Sequence, residues 1–186
     1  MKKLVLAAAL LSGLALQSAW AADWRMDPTS SRLEFTATFE KTPAPGVFHR
    51  FDVKLDLEPS TPDTGRLDVM IDVASADMSS ADINKAIAGG EWFDFARFGQ
   101  AEFHSSEIRR TQANAFTARG TLSLKGVRQP VEVPFSFRES GGGATMEGSF
   151  VVKRGAFGIG TGEWTATDVI GADVTVTFRV RLRKAA

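Results

Sequence analysis

Arg32-Leu33-Glu34-Phe35-Thr36-Ala37-Thr38-Phe39-Glu40 alternates throughout: Leu33, Phe35, Ala37 and Phe39 share one face, and polar residues take the other. Side chains two apart lie on the same side of a pleated strand, so the stretch predicts a half-buried β-strand. Thr42-Pro43-Ala44-Pro45-Gly46 then breaks the alternation and predicts a turn. Phe51-Asp52-Val53-Lys54-Leu55-Asp56-Leu57-Glu58 resumes it, and 59–65 is a Pro- and Gly-bearing loop. Leu67-Asp68-Val69-Met70-Ile71-Asp72-Val73 is a third strand, and residues 100–108, 116–124, 131–138, 145–152 and 173–182 follow the same pattern. Gly126-Val127-Arg128-Gln129-Pro130 and Ser140-Gly141-Gly142-Gly143 are turn material between them. Eight strands at short spacing predict an all-β barrel or sandwich. One segment differs. Residues 79–90 open with capping serines, place Ile83, Ala86 and Ile87 at helical spacing and end in Gly-Gly, predicting one short amphipathic helix.

The chain has 186 residues. It opens with Met1-Lys2-Lys3, continues with an apolar run from Leu4 to Leu16, and reaches Ala19-Trp20-Ala21. A basic start, a short apolar stretch and small residues at alternate positions describe a secretory signal peptide. Cleavage is expected after Ala21, leaving residues 22–186 as one domain in the periplasm. Losing Lys2 and Lys3 leaves 20 basic against 22 acidic residues. That balance points away from nucleic acid and anionic membranes. Without cysteine there is neither a disulfide staple nor thiol or iron–sulfur chemistry. Fourteen Phe, four Trp and no Tyr supply much apolar area with few polar handles, as a large interior to be filled or lined requires.

Local chemistry is sparse. His49 and His104 stand far apart, and their spacing does not assemble the three or four ligands of a zinc site. No G-x-S-x-G elbow occurs. Gly155-Ala156-Phe157-Gly158-Ile159-Gly160-Thr161-Gly162 lacks the helix that must follow a phosphate loop and is expected to be a bend at a barrel rim. Asp68 and Asp72 alternate with Val69, Ile71 and Val73, so they belong to the solvated face. No catalytic, metal or cofactor site is expected. The densest signal is Gly90-Glu91-Trp92-Phe93-Asp94-Phe95-Ala96-Arg97-Phe98, an aromatic cluster that either plugs the core or lines and gates a cavity.

Several stretches, in order, resemble the YceI family. Gly46-Val47-Phe48-His49-Arg50-Phe51 is similar to its G-x-F-x-x-F, and Ile71-Asp72-Val73-Ala74-Ser75-Ala76-Asp77 to its I-x-x-x-S-x-D. Ile87 through Asp94, Ala101 through Ser106, Arg119 through Val131 and Arg154-Gly155-Ala156-Phe157-Gly158-Ile159 resemble further elements, and the opening from Asp23 to Phe35 fits as well. The resemblance implies an eight-stranded antiparallel lipocalin-like barrel with the helix near its mouth. It also implies an apolar interior that binds polyisoprenoids or similar long lipids, quinone and fatty amide types included. Ala86, Gly89 and Trp92 depart from the family's usual His, Ser and Phe around the cavity entrance. The Glu-Trp-Phe-Asp variant is similar to members associated with cytochrome b561-type membrane proteins, which makes such a protein a candidate partner beside the lipid and a second copy of the chain.

Strand parity and the helix–aromatic segment nominate Phe35, Phe39, Phe51, Leu55, Val69, Ile71, Ile87, Trp92, Phe93, Phe95, Phe103, Leu122, Leu124, Val133 and Phe150 as the apolar interior, some touching ligand and others ordinary core. An eight-stranded barrel either fills its inside or leaves room for one ligand. Each buried methylene contributes roughly 0.8 kcal/mol, against an association cost of about 4–15 kcal/mol, so a long chain is favoured over a short one. The expected role is binding, transport or storage of a long-chain apolar lipid, not catalysis. The competing classes are a protein-interaction or chaperone-like module with a filled barrel, and a lipid-modifying or antioxidant enzyme using His49 and His104.

Overall fold

A computed structural model describes residues 23–185; the expected signal peptide, residues 1–21, lies outside the described residues. The strands are β1 (Asp23–Met26), β2 (Arg32–Phe39), β3 (Thr42–Phe48), β4 (Phe51–Asp56), β5 (Arg66–Asp72), β6 (Ala76–Asp77), β7 (Gln100–Gln112), β8 (Ala115–Leu124), β9 (Val127–Ser140), β10 (Gly143–Lys153) and β11 (Asp173–Lys184). The helix α1 spans Ala81–Ile87. Three pairs of segments, β1–β2, β3–β4 and β5–β6, are single strands broken midway, so eleven segments make eight strands. Each pairs antiparallel with its neighbour. Trp24 of β1 stands opposite Lys184 of β11, which closes the sheet into a barrel.

The breaks fall side by side. Pro28–Ser30 and Val73–Ser75 each make a 3₁₀ turn, and β3 gives way to β4 at His49-Arg50 between them. The buried Ser75 hydroxyl accepts from the Arg50 backbone N–H (2.9 Å) and donates to the Asp72 carbonyl (2.6 Å), stitching two breaks together. Above the breaks β2, β3 and β6 continue as a separate flap held to β11.

Two expected turns are corrected. Residues 42–46 are strand: Ala37 faces Ala44 and Thr38 faces Pro43. The turn is Glu40-Lys41, both at positive φ (45° and 67°). Paired positive-φ residues give the twist a two-residue hairpin needs. Pro43 and Pro45 share parity, so their missing N–H donors fall on one edge; beyond β2 this part of β3 has no strand partner among the described residues. Proline is tolerated on such an edge and discourages pairing with another chain. Likewise residues 127–130 belong to β9, and the turn is Lys125-Gly126 alone, at φ 50° and 76°.

The two ends of the barrel differ. At the end holding the 57–65, 113–114 and 141–142 connections, inward side chains close the space. Trp24, Leu55, Leu57, Leu67, Ile108 and Phe116 are at most 2 % exposed. Trp24 packs edge-on against Phe137, and Phe116 stacks on Phe135. The other end, the mouth, carries α1, residues 88–99 and residues 154–172.

Candidate functional site

Above the plug the inward faces leave a cavity of about 470 Å³ with an almost wholly apolar wall. Phe35 and Leu33 from β2, Ile71 from β5, Ala101 from β7, Leu122 and Leu124 from β8, and Phe150 and Val152 from β10 form its sides. The helix covers it with Ile83, Ala86 and Ile87, the three residues whose spacing predicted an amphipathic face. Ser80 caps that helix by accepting from the Ile83 N–H (3.4 Å).

Of the fifteen residues nominated from sequence, Phe35, Phe39, Ile71, Ile87, Trp92, Phe93, Leu122, Leu124 and Phe150 line this cavity. Six do not. Leu55, Phe103 and Val133 are buried in the solid core, and Phe51 and Val69 pack against it. Phe95 stacks on Phe93 (centroids 6.0 Å apart) behind the wall. The reason is geometric: parity reports which way a side chain faces, not how far along the barrel axis it stands. Phe48, Met78 and Trp164 reach the cavity without having been nominated. Phe48 shares parity with residues 42, 44 and 46, but the stretch reads as a turn; Trp164 arrives on a loop with no periodicity.

An aromatic series closes the flap side. Phe35 lies against Phe48 (4.9 Å), Phe48 against Phe93 (6.5 Å) and Phe93 against Phe95. Trp92 meets Trp164 (5.7 Å), joining the 88–99 segment to the 154–172 loop. Three polar residues lock these segments. The Glu91 carbonyl accepts from the Gly160 and Thr161 N–H groups (2.8 and 3.0 Å), and its carboxylate accepts from Trp164 Nε1 (3.0 Å). Lys125 Nζ donates to the Gly90 and Gly158 carbonyls, both at 2.7 Å. Burial lowers the Lys125 pKa.

Arg154 is the third. Its side chain is 4 % exposed and lines the cavity wall. Nε donates to Gly171, Nη1 to Ile159 and Gly160, and Nη2 to Trp164, Ala166 and Ile170, all backbone carbonyls between 2.7 and 3.4 Å. A guanidinium has five N–H donors, so all are engaged and none is left for a ligand. Burial pushes its pKa down. Resemblance flagged Arg154 and Glu91 as parts of motifs; their role as fasteners follows from the tertiary contacts of the loop.

The histidines lie elsewhere, on exposed faces. His49 Nε2 stands 3.3 Å from Asp77, and His104 Nδ1 stands 2.7 Å from Asp68. Neither lines the cavity. Among the described residues no three His, Cys, Asp or Glu side chains gather to hold a metal ion.

The YceI-like domain pattern matches residues 24–182, almost the whole described chain. The chain belongs to the YceI-like family. A UPF0312 protein of Ectopseudomonas mendocina is 28% identical over 171 residues, covering 84% of each chain. Burkholderia cenocepacia BcnA, a crystal structure, superposes with a TM-score of 0.82 at 31% identity, covering 84% of this YceI-like chain and 98% of BcnA. A polyisoprenoid binding domain from Saccharophagus degradans superposes with a TM-score of 0.70 at 16% identity over 89% and 99% of the two chains, a likeness of fold.

Proposed function

We propose that this YceI-like protein binds a long apolar lipid chain, a polyisoprenoid or isoprenoid quinone, in the mouth half of its barrel and carries or stores it in the periplasm. The observation that carries this is a preformed cavity of about 470 Å³ whose wall offers almost nothing but hydrocarbon. Ligand pockets are usually pre-formed, largely apolar and of about this size. Such a wall selects by length and shape, and its binding energy comes from methylenes leaving water. The Saccharophagus neighbour's description as a polyisoprenoid binding domain supports the same ligand class. Binding of this kind calls for no catalytic group or cofactor. The leader-like residues 1–21 support export. The Glu91-Trp92-Phe93-Asp94 resemblance supports a cytochrome b561-type membrane protein as exchange partner.

Native mass spectrometry of the purified protein, followed by solvent extraction, tests this. An extractable apolar lipid in one-to-one ratio is expected. A ligand-free protein that also takes up no prenol or quinone when offered them would overturn it.

A further inference from the structure

The barrel is hollow for only part of its length, and where the hollow stops is legible residue by residue. On β7 the wall residue Ala101 is followed inward by Phe103, which is 5 % exposed. On β11 Val176 is followed by Phe178, which is 8 % exposed. On β5 Ile71 is followed by Val69, packed on the core. The Phe178 ring fills the place left by Gly148 on β10, where a β-carbon would overlap it. Beneath these come Leu67, Ile108, Val180 and Leu182, each at most 2 % exposed. The side chains named here are all apolar, and the hydroxyl of Ser105, beside them on β7, accepts from the Leu67 backbone N–H (2.7 Å).

The volume converts to a chain length. A dry apolar cavity of about 150 Å³ takes one benzene, so each carbon needs roughly 25 Å³. A cavity of about 470 Å³ then seats about 19 carbons, close to four isoprene units. Anything longer has to leave through the mouth. There Phe39 and Ile83 are 46 % and 44 % exposed while still lining the cavity.

Building on the lipid-binding reading above, we propose that the cavity measures its ligand: it encloses one tail segment of about twenty carbons, closed off where Phe103 and Phe178 pack beside the lining residues Leu122 and Leu33, and leaves any further length outside across Phe39 and Ile83. A chain longer than that is therefore enclosed only in part.

The test offers the full-length mature protein a series of linear prenols of ten, fifteen, twenty, thirty and forty carbons, delivered from cyclodextrin, with relative affinities read by native mass spectrometry. Affinity should climb to twenty carbons and then level off. An enclosed unit would otherwise multiply affinity by up to roughly a thousandfold, so a continuing rise through thirty and forty carbons overturns the limit while leaving lipid binding intact. No binding at any length overturns lipid binding itself, and the limit with it. Phe103→Ala and Phe178→Ala each remove a benzene-sized volume, room for about one more isoprene unit. The levelling point should move to twenty-five carbons in whichever variant keeps the wild-type circular dichroism spectrum. A folded variant that still levels off at twenty overturns the assignment of that phenylalanine as the floor.

Discussion

Phe35 on β2 lies directly over Gly46 on β3, so close that a β-carbon on Gly46 would overlap the ring. Gly46 is buried, and the ring it admits is part of the cavity wall. Gly46→Ala is expected to cost about 1–3 kcal/mol, the usual penalty for overpacking, and to drive the ring into the cavity. Chemical denaturation of Gly46→Ala, Phe35→Leu and the double variant checks this. If ring overlap is the cause, adding Phe35→Leu recovers part of the Gly46→Ala loss, a non-additivity expected of contacting residues.

Arg154 holds six carbonyls of a loop that has little regular structure of its own. Arg154→Met keeps an apolar stem but orphans those acceptors, at a cost of about 1–3 kcal/mol for each one that stays buried and unpaired. A loss above about 3 kcal/mol is expected. Amide exchange should locate it: protection falls across residues 158–171 and persists in β8 and β9. Uniform loss of protection would mean that Arg154 supports the whole barrel instead.

Glu91 bonds the loop through both its carbonyl and its carboxylate. Glu91→Ala removes only the carboxylate, so the backbone bonds to Gly160 and Thr161 persist. The expected stability loss is about 1 kcal/mol. Lipid dissociation should accelerate, because Trp164 is freed from its anchor beside Trp92 at the cavity entrance. Stopped-flow release of a bound prenol checks the rate; an unchanged rate would exclude the Glu91–Trp164 contact from gating.

His104 has a pKa raised from 6.5, chiefly by its hydrogen bond to Asp68; desolvation opposes the rise, and the hydrogen bond to Glu102 adds a smaller upward contribution. A group whose folded pKa is raised stabilises fully below its unfolded value, and that stabilisation is lost as pH climbs through the folded value. Stability should therefore decline as pH rises from about 6.5 through the raised pKa. The side chain is 57% exposed, so screening holds the effect below about 1 kcal/mol. Subtracting the pH profile of His104→Gln from that of the wild type should isolate the decline.

Much of the barrel was readable from alternation. Leu33, Phe35 and Phe39 face inward as their spacing says, and Ile83, Ala86 and Ile87 share the helix face that meets the cavity. Parity is a local property: it depends only on the pleat and survives whatever the strand pairs with. The misread segments were those where a local cue has two outcomes. Pro43 and Pro45 are turn residues in isolation and tolerable strand residues on an open edge, and what decides between them is that no further strand pairs there among the described residues.

By itself the chain determined an all-β domain, barrel or sandwich, with a phenylalanine-rich inner face and one short capped helix, because period and composition act over a few residues. Where along the axis that inner face is solid and where it is hollow came only from the tertiary structure. Leu55 and Ile71 are equally apolar and both face inward, yet Leu55 is sealed beside Trp24 while Ile71 borders the cavity. The difference lies in what stands across the barrel from each, and a cavity, being the volume that distant side chains fail to fill, has no local cause to be read.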